Sequence, residues 1–473
     1  MLVPSIGPIT LVPDGERDVV DATKATDMIS RWKNELISHR DLLDVKDGTD
    51  VWLCDQLILS NKSYTADAAS ILSEFLTSRE IFLPPLCQQI KKLDMSDVIA
   101  SRMEDEGLAV LRTFSDTFLQ IDGEEDNNCK LVAVDLSDNA MGSKGVSACM
   151  SVIGRQGGTL EELSLCNNGL SEASMSEVAD ILTDTSNSSD GFNIAQKLTK
   201  LHFFNNMSGD NGCIAFKRIA SLFTDRLVDL RFSSTRAGAK GSAHILEALN
   251  LLAEKDVLIN LKRLDLADNS FSGEESTSIL SSVLSKCTSL QYLNLRDCLL
   301  EDSGIISVCE AIITSKCPLQ HLDLSANEVT KVGAKSIAKV IAKTKHSLQN
   351  LLLEENEMTS IGVRSIVRAL QCSDAVLPLQ KVILSSNECG DIGAKVLLDI
   401  LTSERFKHLT SLNLDDNAIS SDAVEELENA FGDKLESMDG NIDDDDVDEN
   451  LSDIEDDDDL DELTNTLSQV NIK

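Results

Sequence analysis

The side chains best suited to chemistry in this chain are amides. Residues 164–170 read SLCNNGL, and the adjacent pair Asn167–Asn168 closes a repeating apolar pattern that calls for one asparagine. A carboxamide is no general base, but it can donate and accept hydrogen bonds at once, which suits it to orienting a polar group on another molecule. Asn205 stands in the same slot as Asn167, ahead of Asn206. Two arginines, Arg102 in SDVIASR and Arg236 in SSTRAG, follow copies of the same pattern and are expected on its rim loops. Arginine is favoured at protein interfaces. From the residues alone, a plain surface amide is the simpler reading of Asn167, and solvated charges are the simpler reading of the two arginines.

Other catalytic equipment is not evident. The sequence contains no P-loop, HExxH, GxSxG or metal-ligand cluster. Its six histidines are dispersed, and its 12 cysteines show no CxxC pair. The cysteines read as small buried apolar residues in a reducing compartment. No metal and no cofactor of the chain's own is expected.

The elements that must position these residues repeat as L-x-x-L-x-L-x-x-N. Clear copies end at Asn139, Asn168, Asn206, Asn269, Cys298, Asn327, Asn356, Asn387 and Asn417, with Thr235 in the same slot. Two weaker copies lie around Leu57–Lys62 and Leu93–Val98, giving about twelve units. Steps of 29 from Cys298 to Asn327 to Asn356, then 31 and 30, match the leucine-rich repeat period. Steps of 38 and 34 are the same unit with loop insertions. Helical spacing follows each motif, as in VGAKSIAKVIAKT (332–344). The fold class expected is therefore α/β: a ribonuclease-inhibitor-like leucine-rich repeat solenoid, with a parallel sheet inside and helices outside. The ninth-position asparagines should bury their amides against the backbone of adjacent turns. A glycine six residues past the ladder position, as at Gly333 and Gly362, implies either close helix packing or a positive φ.

Composition bounds the rest. The 473 residues carry a formal charge of −38, with 42% hydrophobic but only 4% aromatic residues. Residues 436–462 hold 16 carboxylates and no Lys or Arg. Such a chain repels phosphate backbones and attracts basic proteins, so nucleic-acid binding is not expected. Three segments are expected: an N-terminal helical cap or extension (1–50) of one or two helices, the repeat domain (51–436), and a disordered acidic tail (437–473). No secretory signal or membrane span is evident.

The stretches SDVIASR (96–102), LSDNAMGSKGV (136–146), LEELSLCNNGL (160–170), FNNMSGDNG (204–212) and SSTRAGAKG (233–241) resemble the Ran GTPase-activating proteins, the plant and algal branch above all. The likeness runs from about residue 51 to the acidic tail. It implies a protein that stimulates GTP hydrolysis by the nuclear-transport GTPase Ran in its GTP form, with GTP and Mg²⁺ carried by that partner. A Ran-binding protein would be a further partner, and the cytoplasm the site of action. By the resemblance, Asn167 orients the partner's catalytic glutamine, Arg102 docks or organises charge, and Asn139, Asn205 and Arg236 are weaker contact candidates. The Trp-Pro-Pro motif of plant members is missing, with Trp32 alone in SRWKNEL, so nuclear-envelope anchoring is left open. Ser452 sits in an acidic context suited to an acidophilic kinase. The rival reading is a non-catalytic scaffold that binds basic proteins through its acidic surface and tail.

Overall fold

A computed structural model describes residues 7–43, 52–79, 82–119, 130–154, 159–186, 191–371 and 375–441. Ser452 and most of the acidic tail lie outside the described residues. The chain divides into two compact units, residues 1–237 and 238–473.

The first unit runs β1 (Ile9–Leu11), β2 (Val19–Val20), α1 (Ala22–Leu42), β3 (Cys54–Ile58), β4 (Ser63–Tyr64), α2 (Ala66–Thr77), α3 (Leu86–Gln89), β5 (Lys92–Asp94), α4 (Glu104–Thr117), β6 (Ala133–Asp135), α5 (Gly145–Gly154), β7 (Glu162–Ser164), α6 (Glu172–Thr183), β8 (Lys200–Phe204), α7 (Gly209–Ala220) and β9 (Asp229–Ser233). Strands β1, β3, β5, β6, β7, β8 and β9 lie side by side in that order, all parallel, while β2 pairs with β4. Parallel neighbours need a crossover, and the helix of each repeat supplies it.

The second unit runs α8 (Ala239–Glu254), β10 (Arg263–Asp265), α9 (Glu274–Lys286), β11 (Tyr292–Asn294), α10 (Glu301–Ser315), β12 (His321–Asp323), α11 (Lys331–Thr344), β13 (Asn350–Leu352), α12 (Thr359–Gln371), β14 (Lys381–Ile383), α13 (Asp391–Leu401), β15 (Ser411–Asn413) and α14 (Ser421–Phe431). Its strands β10 to β15 also pair in parallel and in chain order.

The register follows from the motif. Its fourth residues face one another across strands, as Val134, Leu163, Leu201 and Leu230 do in the first unit. All four are buried, as are the sixth-position Leu136, Leu165, Phe203 and Phe232. Each such side chain contributes roughly 1.5–3 kcal/mol when removed from water. The helices bury one stripe against them; in α6 it is Met175, Val178, Ala179 and Leu182, and the helix is capped by Ser171, whose Oγ accepts from Ser174 N.

The asparagine ladder has the expected chemistry. Asn168 Oδ1 accepts from Asn139 N at 2.9 Å, and its Nδ2 donates to Leu136 O at 3.0 Å. Asn206 does the same one repeat on, accepting from Asn168 N and Leu170 N. The ladder runs one step further than the motif indicates, because Asn441 Oδ1 accepts from Asn417 N.

The glycines resolve to close packing. A Cβ on Gly362 would lie 2.8 Å from Met358 Cβ and 3.1 Å from Ala334 Cβ on the neighbouring helix, with no positive φ at that residue. Residues 9–42 differ from expectation in one respect. They hold one helix, α1, but also β1, which pairs with β3 although no repeat pattern announces it. Buried Trp32 anchors this segment by donating from Nε1 to Val12 O at 3.0 Å. Among the described residues, no helix is long and apolar enough to cross a membrane.

Candidate functional site

The eighth motif position is where each strand turns into its loop, and its backbone is left-handed throughout. In the first unit φ is 52° at Asp97, 62° at Asp138, 52° at Asn167, 51° at Asn205 and 51° at Ser234. Asparagine and aspartate tolerate this region better than other side chains with a Cβ, which accounts for their recurrence there. The amide N–H of each residue donates to the seventh-position carbonyl of the next repeat: Asp97 to Ser137, Asp138 to Cys166, Asn167 to Phe204 and Asn205 to Ser233. The row is thereby held at fixed spacing along one edge of the sheet.

Along that edge the side chains bond to one another. Asn167 Nδ2 donates to Asp138 Oδ1 at 2.7 Å, and Asn167 Oδ1 accepts from Asn205 Nδ2 at 2.7 Å. A carboxylate only accepts, so Asp138 dictates which end of the Asn167 amide faces it. Asn167 is half-buried and Asn205 exposed, and neither turns into the core. After both bonds, the Asn167 amide keeps one N–H and one lone pair for another molecule.

Arg102 lies toward the other end of the row. It lines a cleft of about 550 Å³ with Arg17, Asp97, Asp138, Asn139 and Lys144. Its side chain is 16% exposed and pairs loosely with Glu106 at 3.7 Å, and its Nε is buried without a hydrogen-bond partner. Arg17 binds Asp97 at 2.6 Å. Burial raises the Asp97 carboxyl above its ordinary range, partly opposed by Arg17 and assisted by the Asp138 charge.

The structure thus joins Asn167 to Asn205 directly and places Arg102 in the adjoining cleft. Arg236 is exposed on the loop after β9, with φ at 60°. Asn139 departs from the part the resemblance implies. It is 2% exposed, and its amide is taken up by Val98 N, Met95 O and Leu136 O. Its neighbour Asp138 faces outward instead. Sequence reasoning passed over Asp138, Asp97 and Arg17 as contributors; the recurrence of Asp or Asn at the eighth position was the available signal. The described cysteines are all unbridged, and all but Cys166 are buried. Burial raises the thiols of Cys54 and Cys149 to about 12, so they are neutral core groups.

Models of the leucine-rich repeat match residues 127–148, 286–309, 315–338 and 407–427, and a second such model matches 260–282. The fold is that of a leucine-rich repeat protein. Within this repeat class, the chain is 36% identical over 106 residues to "RAN GTPase-activating protein 1" of Arabidopsis thaliana. It is 34% identical over 108 residues to "RAN GTPase-activating protein 2" of the same plant. The matched stretches are 22% and 23% of this chain and 17% of each relative, so the match spans about a sixth of the curated relatives' length. The repeat protein therefore resembles the Ran GTPase-activating family. Among solved structures, a chain in the yeast Rad7–Elc1 complex aligns over 89% of this chain and 95% of its own, with 17% identity and a TM-score of 0.46.

Proposed function

We propose that this chain is an activator of GTP hydrolysis by a Ran-type small GTPase in its GTP form. The observation that carries the reading is the Asn167 amide, held on the rim between Asp138 and Asn205 with one donor and one acceptor still available. That remaining pair is complementary to the carboxamide of a glutamine, which likewise donates and accepts. Asn167 then acts by fixing the partner's own glutamine, and with it the attacking water; GTP and Mg²⁺ stay with the partner. The two Arabidopsis relatives support the choice of GTPase.

Arg102, beside the bonded row, supplies a cation for docking, and exposed Asn205 and Arg236 extend the contact along the same edge. Asn139 leaves the contact set because the ladder consumes its amide. The test is single-turnover phosphate release from a GTP-loaded Ran-type GTPase. The wild-type chain accelerates it, whereas Asn167→Ala binds the GTPase with unchanged affinity and loses about 10²-fold of the acceleration, the scale set by mispositioned reacting groups. Absence of acceleration by wild-type protein would falsify the reading.

A further inference from the structure

Three cations line the cleft beside the bonded row: Arg17, Arg102 and Lys144. Two of them bind carboxylates of α4, Arg102 to Glu106 at 3.7 Å and Lys144 to Glu104 at 2.5 Å. Of the three, Arg17 binds the row itself, donating from Nη2 to Asp97 Oδ1 at 2.6 Å. It does so across 80 residues of sequence, from the turn between β1 and β2.

The chain around Arg17 is held more firmly than an exposed turn needs. Lys62, 3% exposed, donates from Nζ to Glu16 O and to Asp18 Oδ1, on the residues either side of Arg17. A buried ammonium is costly unless it is paired, and this one is spent on those two neighbours. Asp18 Oδ2 also accepts from Lys24 Nζ at 2.8 Å, and Asp18 O accepts from Ser63 N at 3.0 Å. Ser63 Oγ in turn donates to Ala100 O, in the loop after Asp97. The N-terminal segment and the rim are thus braced together around Arg17. The Arg17–Asp97 pair itself is exposed, a class of ion pair that adds little to stability.

Its consequence lies along the row. Asp97 N donates to Ser137 O, which sets Asp97 beside Asp138, the eighth residue of the next repeat. Neighbouring strands lie about 4.8 Å apart. Carboxylates facing each other at such spacing repel, and the Asp138 charge acts on the Asp97 carboxyl. Asp138 meanwhile has to keep an oxygen on Asn167 Nδ2. Arg17 offsets the Asp97 charge and draws that carboxylate to its own side.

We infer that Arg17 is a positioning residue for Asn167, on the reading of that amide proposed above: by engaging Asp97 it leaves the Asp138 carboxylate undisturbed on the Asn167 amide. The N-terminal segment then serves the activating rim as well as extending the sheet.

The test uses the full-length chain carrying isotope-labelled asparagine, with the Asn167 side-chain signal identified by its loss in Asn167→Ala. In Arg17→Ala, or Arg17→Gln if the first folds poorly by circular dichroism, the Asn167 amide protons move upfield from their carboxylate-bonded position. Maximal stimulation of a GTP-loaded Ran-type GTPase falls about 2- to 10-fold, the scale of one net hydrogen bond, at an unchanged half-saturating concentration. Adding Asp97→Ala removes the repulsion, so the double variant recovers both the signal and the stimulation. An unmoved signal, an undiminished stimulation, or a double variant as impaired as the single one overturns the role of Arg17; the last result places it in direct contact with the GTPase instead. The signal is read without any GTPase. Wild-type protein that fails to stimulate therefore refutes the activator function, and Arg17 is then judged on the amide signal alone.

Discussion

At the scale of single residues, two adjacent asparagines have separate environments. Asn168 is fully buried and bonded to Asn139 N and Leu136 O, while Asn167 is half-buried and bonded to the side chains of Asp138 and Asn205. Replacing Asn168 with Ala strands the buried Asn139 N–H, while Leu136 O keeps its bond from Asn139 Nδ2, at a cost of about 1–3 kcal/mol. Asn168→Ala should therefore lower the urea midpoint clearly, and Asn167→Ala should leave it nearly unchanged while abolishing most of the GTPase stimulation. Equal stability losses in the two variants would contradict this division.

Asp138 belongs to the same scale, because its carboxylate decides which way the Asn167 amide points. Asp138→Ala is expected to reduce maximal stimulation while leaving the apparent affinity for the GTPase intact, as read from a concentration series. A variant that stimulates like wild type would show that Asn205 alone suffices to orient the amide. The left-handed backbone at position eight was not legible in the sequence as such. The Asp and Asn there look like rim polarity until φ is known.

Among elements, the open face of the second unit's sheet presents a stack across three neighbouring strands. Arg263 lies 3.7 Å from the Tyr292 ring centroid, and Tyr292 stacks on His321 at 4.1 Å with the planes 7° apart. Burial, helped by the charges of Arg263 and Lys381, lowers the His321 pKa from 6.5 to about 4. The folded chain binds fewer protons at His321 than the unfolded chain between these values. Stability from this site is then complete above about pH 6.5 and is lost as pH falls toward about 4, on the order of 2–3 kcal/mol. His321→Gln should flatten that part of the pH–stability curve in thermal melts; an unchanged slope would place the acid sensitivity elsewhere.

Helix packing gives a sharper test. Valine at position 362 would put side-chain atoms where Met358 and Ala334 already stand. Overpacking of this kind costs about 1–3 kcal/mol. The loss should appear as local loosening of α11 and α12 in hydrogen exchange, because repeats contact chiefly their neighbours. The glycine period was legible from sequence, but whether it served a turn or a close approach depended on which atoms lie opposite.

For the whole molecule, charge dominates. A chain at −38 repels itself, and salt screens that repulsion, with a Debye length that shrinks from about 30 Å at 0.01 M to about 8 Å at 0.15 M. Thermal stability should rise over that range. A fall would mean that attractive ion pairs such as Arg17–Asp97 and Arg226–Glu161 outweigh the net repulsion.

What the sequence determined by itself was the repeat, its register and its ladder, because the spacing of apolar residues and one amide per unit dictates a parallel stack. It also pointed to the repeats bearing Asn167, Asn205 and Arg102. Only the tertiary structure decided that Asp138 touches Asn167 and that Asn205 touches it from the other side, across separations of 29 and 38 residues. It likewise decided that Asn139 is spent inside and that β1 joins the sheet. These contacts run sideways between repeats, so they depend on how each strand registers on the next, and a linear pattern read within one unit does not contain that information.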